Sequence, residues 1–442
     1  MKPLSIICFV VIILCFPLLL SSSSDDPLVR YLSARAVPLH SASDLDELVH
    51  MAGSRRLALL GEASHGTHEY YIWRDSLSRR LISEKGYNFI AVEGDWASIY
   101  ELNRYVKNLP GAASSAREAL AGLDRWPLWM WGNEEVLGLA EWLKAHNDQQ
   151  TAGQKVGLYG MDVYDEWRSK EVLLDFLSLH HEEMYENADE LLDCFNRFWG
   201  DSWAYAQSVA RRGVDCAPST QELVSMMRNR RSDIRGVDDY EYFYAMQNAL
   251  VIKYAERFYR EAVTRQDASS WNSRAGYMQL TVSRLLELYG ENAKGIVWAH
   301  NTHIGDARFS EMHNRRQENI GQMSRLAHGE DSVLLVGFGT YTGTVKAAES
   351  WGAPIRKMNV PPAGRGSLEH ILMETGQEQF MLVFSDQDRT HELFSRPLGN
   401  RAIGVTYNPD NDRHQYVNTI VPLRYDAFVF FRETEALRPL AR

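Results

Sequence analysis

Short runs of aliphatic and β-branched residues recur along the chain, each ending in Gly or a polar residue and followed by a longer stretch with helical spacing. The runs are Leu57 to Leu60, Phe89 to Val92, Val156 to Tyr159, Ile296 to Trp298, Val333 to Val336, Met381 to Phe384 and Ala402 to Val405, with Phe428 to Phe431 near the end. Strands so continuously apolar have both faces buried, so the alternation predicts an α/β fold with a mostly parallel central sheet flanked by helices. Between the first two runs, Tyr70, Trp73, Leu77 and Leu81 repeat at helical spacing and form the stripe of a helix facing a core.

From Lys170 to Gly290 the pattern changes. Long helical patterns, including Asp238 to Thr264 and Trp271 to Tyr289, are interrupted by the polar stretch Arg265 to Ser270, and no strand-like run appears. Residues 170–290 therefore read as an all-helical insertion or lid that walls a site carried by an α/β unit of residues 25–169 and 291–442. At the start, Met1-Lys2 precedes an apolar run from Leu4 to Leu20, then Ser21 to Ser24 and Asp25-Asp26. A positive start, an apolar centre and small residues fit a signal peptide over residues 1–24 and export to the periplasm or exterior. Anchoring by residues 4–20 is the alternative, since that run is near the lower limit of a spanning helix.

Composition adds exclusions. The 442 residues include 47 Lys and Arg and 58 Asp and Glu, a net charge of −11, with 45% hydrophobic residues. That is an ordinary globular balance, which excludes disorder, and its acidity with no basic cluster argues against a nucleic-acid partner. Of the four cysteines, Cys8 and Cys15 fall in the signal, leaving Cys194 and Cys216 as either a disulfide or two free thiols. Neither has a Cys-x-x-Cys partner, so zinc ribbons and thioredoxin-type chemistry have no support.

In parallel α/β sheets, ligands bind outside the carboxyl ends of the strands. The residues just past the runs are chemically rich: Gly61, Glu62, Ser64 and His65 after the first, Glu93 and Asp95 after the second, Asp162 after the third, and His300, Asn301, His303 and Asp306 after the fourth. Taken singly, each residue has a plainer explanation. His65 suits a helix cap, Glu62 or Glu93 an ion pair with Arg74, Asp306 a solvated turn with Arg308, and His68 a first helical turn. Their convergence on one sheet edge is what points to an active site. Ser64 is disfavoured as a nucleophile because Glu62 stands where the hydrolase elbow Gly-x-Ser-x-Gly requires Gly. The stretch Gly337 to Gly343 matches no nucleotide fingerprint, so no nucleotide is implied.

Two mechanisms fit these residues. In one, His65 is a general base that draws a proton from water, held by Glu62, while Arg74 and the histidines near residue 300 stabilise an oxyanion. In the other, Glu62, His65, Glu93 and His300 or His303 ligate a divalent metal that generates hydroxide. Spacing alone leaves both open.

These residues also carry a resemblance. Leu60-Gly61-Glu62-Ala63-Ser64-His65-Gly66-Thr67 resembles the Gly-Glu-x-x-His-Gly signature of the erythromycin esterase family. Arg74, Ala91-Val92-Glu93, Trp126-Pro127-Leu128-Trp129, Glu134-Glu135 and Gly160-Met161-Asp162 continue it in order. The segment Trp298 to Asp306 is similar to the family's most distinctive block, extended by Asn319-Ile320-Gly321-Gln322. The resemblance implies hydrolysis of a carboxylic ester, in the named enzymes a macrolide lactone, by water activated at His65. It implies supporting roles for Glu62, Arg74, Glu93, His300 and His303 and substrate contacts from Trp129, Asp162, Asn301 and Asp306, and it favours the version without a metal; no cofactor is expected, with a divalent metal as the alternative. The partner expected is a small-molecule ester, with no stable partner protein. Ala275 after Arg274, and Phe430 in the last strand, depart from the family's usual Asp and His. The first touches the wall of the helical region and the second the rim of the cleft.

Overall fold

The computed structural model describes residues 26–213 and 215–440, so the signal or anchor expected before Asp25, with Cys8 and Cys15, lies outside the described residues. Among the described residues, no helix is long and apolar enough to cross a membrane. The centre is a nine-stranded sheet. Its strands are β1 (Val37–Pro38), β2 (Leu57–Leu60), β3 (Phe89–Asp95), β4 (Gly157–Asp162), β5 (Gly295–Trp298), β6 (Val333–Ala347), β7 (Arg356–Val360), β8 (Gln379–Val383) and β11 (Ala427–Thr434). A separate antiparallel pair joins β9 (Leu398–Arg401) to β10 (Tyr416–Thr419).

The main sheet runs β1-β8-β11-β6-β2-β5-β3-β4, with β7 paired to β6. From β11 to β4 every neighbour pair is parallel, while β1, β7 and β8 join antiparallel at the margins. All residues of β2 and β5 are buried, as their uninterrupted apolar runs require. Two large apolar clusters cover the two faces. One packs Leu57, Leu59 and Phe89 with Leu250, Met278 and Leu285 of the helical region. The other packs Ala58, Leu60 and Ile90 with Tyr70, Leu77 and Leu81 of the helix His68–Lys85. The stripe read from the sequence is therefore core.

The helical region, including Asp239–Thr264 and Ser269–Tyr289, shares the first of these clusters with the sheet. Cys194 and Cys216 are joined in a disulfide within it, with Cα atoms 6.0 Å apart. Three expectations about strands need correction. Ala402 to Val405 is not a strand: Ile403 only bridges to Ser64, bonding through its N–H to the Ala63 carbonyl, and the chain there is irregular. The strand β6 runs on through Gly337 to Gly343, because that stretch pairs with β11. Phe430 packs against Phe380 in the core, ring centroids 5.2 Å apart and planes tilted by 48°, and so forms no rim of a cleft.

Candidate active site

In sheet order, β2, β5, β3 and β4 are successive neighbours, which is why residues far apart in sequence meet at their carboxyl ends. Glu62 and His65 follow β2, His300 and His303 follow β5, Glu93 lies within β3 and Asp162 ends β4. Gly61 makes room for the turn: a Cβ there would come within 2.1 Å of Asn301 Oδ1. Asn301 in turn donates from Nδ2 to the Phe338 carbonyl at 2.7 Å, and from its backbone N–H to the Glu62 carbonyl at 2.8 Å. It ties the ends of β2 and β5 to the middle of β6.

His65 is anchored from behind. Its Nδ1 lies 2.9 Å from Glu62 Oε1, and Arg74 Nη2 donates to Glu62 Oε2 at 2.6 Å. Arg74 and Glu62 are fully buried, and the guanidinium sits 4.5 Å and 4.6 Å from the ring centroids of Tyr71 and Trp298. Burial alone would make His65 less basic. The negative charge of Glu93, and then the hydrogen bond and charge of Glu62, outweigh it and raise the imidazole pKa above its ordinary value.

Glu93 holds a second group of side chains. Oε2 accepts the backbone N–H of His300 at 2.8 Å, while Oε1 accepts from Arg274 Nη2 at 2.8 Å and lies 3.3 Å from His303 Nε2. Burial would favour the neutral acid, but His303, His65 and Arg274 hold the carboxyl well below the usual carboxylate range. His300 is the reverse case. Burial and the neighbouring charge of His65 push it down to about 3, so the ring is neutral in ordinary buffers. Its Nδ1 lies 2.8 Å from Thr302 Oγ1 and 3.3 Å from the Thr302 backbone nitrogen. Its Nε2 is buried and closes no hydrogen bond. The rings of His65 and His300 are 5.0 Å apart.

These groups face a cavity of about 380 Å³ lined by His65, Glu93, Asp162, His300 and His303. Its walls add Arg125, Trp131, Tyr164, Trp271, Arg274, Met312 and Trp351, together with Ala402, Gly404 and Val405 from the segment that failed to form a strand. Glu62 and Arg74 stand behind His65 rather than in the wall. Three expected substrate contacts are elsewhere. Trp129 belongs to the turn Leu128–Met130 and is buried in the core, and Asn301 is the tie described above. Asp306 is buried and accepts from Arg308 at 2.6 Å and Arg325 at 3.3 Å, an ion pair as its plainer reading had it, though not a solvated one. Ser64 Oγ is hydrogen-bonded to Thr67 Oγ1 and does not line the cavity. His68 starts its helix with Nδ1 2.6 Å from Glu135.

Trp271 and Arg274 were missed by sequence reasoning. Trp271 stacks on His303 with centroids 4.7 Å apart and planes at 7°. Both come from the helical region and are one helical turn apart, but only their shared face on Ser269–Tyr289 could have flagged them. As for a metal, both Glu62 oxygens are taken by His65 and Arg74, and the Arg274 guanidinium occupies the cation position beside Glu93. Among the described residues, no three His, Cys, Asp or Glu side chains are grouped so that they could hold an ion.

The fold and the site define a class: an α/β protein with a buried acid–base centre at the carboxyl edge of a parallel sheet, open to a cavity. The chain belongs to the erythromycin esterase family, whose sequence model matches residues 82–434. Membership of that family implies a hydrolase acting on esters. The same fold occurs in a protein from Bacillus cereus, with a TM-score of 0.78 and 19% identity over 94% of this chain and 98% of that one. A succinoglycan biosynthesis protein gives 0.76 and 19% over 93% and 98%. A histidine mutant of erythromycin esterase EreC, in its open conformation, gives 0.67 and 17% over 90% and 97%.

Proposed function

We propose that this chain hydrolyses a carboxylic ester, with a macrolide lactone as substrate, by direct attack of a water molecule activated by His65. The observation that carries the reading is the buried Arg74–Glu62–His65 relay. With Nδ1–H held by Glu62, the free nitrogen of the cavity-lining ring is Nε2, the atom that takes the water proton. The imidazolium so formed is stabilised by Glu62 and by the ionised Glu93. His65 then returns its proton to the departing alkoxide, so no covalent intermediate forms.

The reading needs no metal: Glu62 is engaged by His65 and Arg74, and Glu93 by Arg274 and His303. The substrate is taken as a small molecule alone, with no stable partner protein, and the apolar start of the chain supports export. The central test is mass spectrometry of a macrolide incubated with the protein: the product gains one water, and His65→Ala lowers kcat/KM about 10²- to 10⁴-fold without loss of fold. Turnover that survives His65→Ala would overturn the mechanism, and turnover abolished by chelation and restored by a divalent ion would replace it with the metal-dependent one.

A further inference from the structure

Arg274 takes no part in the proton transfers above, yet it is the most connected side chain of the site. Its Nη2 donates to Glu93 Oε1 at 2.8 Å and to Asp162 Oδ2 at 2.7 Å, its Nε to Asp162 Oδ1 at 2.8 Å, and its Nη1 lies 3.2 Å from His303 Nε2. One planar fork from the helical region therefore gathers groups supplied by β3, by β4 and by the turn after β5. The guanidinium is also 5.2 Å from the Tyr164 ring centroid, with Arg125 4.9 Å from that same ring.

We propose that Arg274 is a positioning residue that fixes Glu93, Asp162 and His303 in one cluster beside His65 and sets its own positive charge among them. The proposal rests on His65 being the base. A base protonated at working pH cannot take a proton from water, and the carboxylate of Glu93 pulls His65 in that direction. Two carboxylates, Glu93 and Asp162, share the one guanidinium of Arg274, so its loss removes one positive charge from this side of the site.

The sign of the effect follows from the neighbours. Glu62 is already bonded to Arg74, Asp95 to Arg125, and His300 stays neutral. Glu93 is kept ionised by His303 and His65 ahead of Arg274, so it remains charged when the guanidinium is lost. Arg274 itself opposes the protonation of His65. Loss of its charge therefore makes His65 more basic, and a purely structural role would not move that titration.

The test is a pH titration of the His65 ring by NMR on isotopically labelled full-length protein, its signal assigned by absence in His65→Ala. Arg274→Gln should raise the midpoint by on the order of half a unit to one unit. Arg274→Lys, which keeps the charge but cannot bridge three groups, should leave the midpoint near wild type and still lower kcat. A midpoint that is unchanged or lowered in folded Arg274→Gln overturns the proposal. If the Gln variant does not fold, a rise in the Lys variant equally overturns it. The titration reads His65 whether or not an ester is cleaved. A shifted titration that the acid limb of kcat/KM does not follow would instead refute His65 as the base.

Discussion

The site has two halves that are built differently. The half behind His65 is local and sealed: Glu62 and His65 lie in the strand-to-helix turn, Arg74 lies on the helix that follows, and Glu62 and Arg74 are wholly buried. The half around Glu93 is assembled at long range, with Arg274 lying 181 residues from Glu93 in sequence and partly open to the cavity. The base is thus built into the sheet core, whereas its electrostatic surroundings depend on how the helical region packs.

The hardest way to break the sealed half is Arg74→Met. It leaves the Glu62 charge buried with His65 as its one remaining ionisable partner, and breaking a buried pair from one side costs about 3–5 kcal/mol. A fall in stability of that size, measured by denaturant unfolding, is expected together with loss of turnover. Stability unchanged within about 1 kcal/mol would show that the relay is not part of the structural core.

That difference in construction also decides what could be read from the sequence. The parallel sheet was legible because β2, β3, β5 and β6 are continuous apolar runs, and Glu62, His65, Glu93 and His300 were legible because they directly follow or end those strands. Ala402 to Val405 misled because its short apolar run makes only a bridge to Ser64 and otherwise lines the cavity. Trp129, Asn301 and Asp306 sit in segments rich in site residues, yet their side chains turn inward to core, backbone and arginine partners. Arg274 carries no local signal, because its meaning lies in contacts with β3 and β4 that only the packing of the helix creates.

The pH dependence of catalysis joins the halves. His65 acts when unprotonated, and Glu93 and Glu62 raise its pKa above 6.5. The expected kcat/KM profile therefore falls as the pH drops, with the midpoint of the acid limb above 6.5. His300, at about 3, adds no second limb near neutrality. A midpoint well below 6.5 would mean that Glu93 does not act on His65 and that the halves are electrically separate.

The smallest expected effect comes from the assembled half. Trp271→Ala removes the indole stacked on His303, an aromatic contact of about 0.5–1.5 kcal/mol. It also removes the 2.7 Å bond from Nε1 to the Glu318 carbonyl, which ties the helix to the loop beside the cavity. His303 keeps its places beside Glu93 and Arg274, so the ring should lose order without leaving the site. The consequence is a loss in kcat/KM of roughly 2- to 13-fold, the factor that corresponds to the stacking energy, with the acid limb unmoved. A loss as deep as that of His65→Ala would mean that the helical region supplies a group as essential as the base, and the distinction between a built-in base and adjustable surroundings would fail.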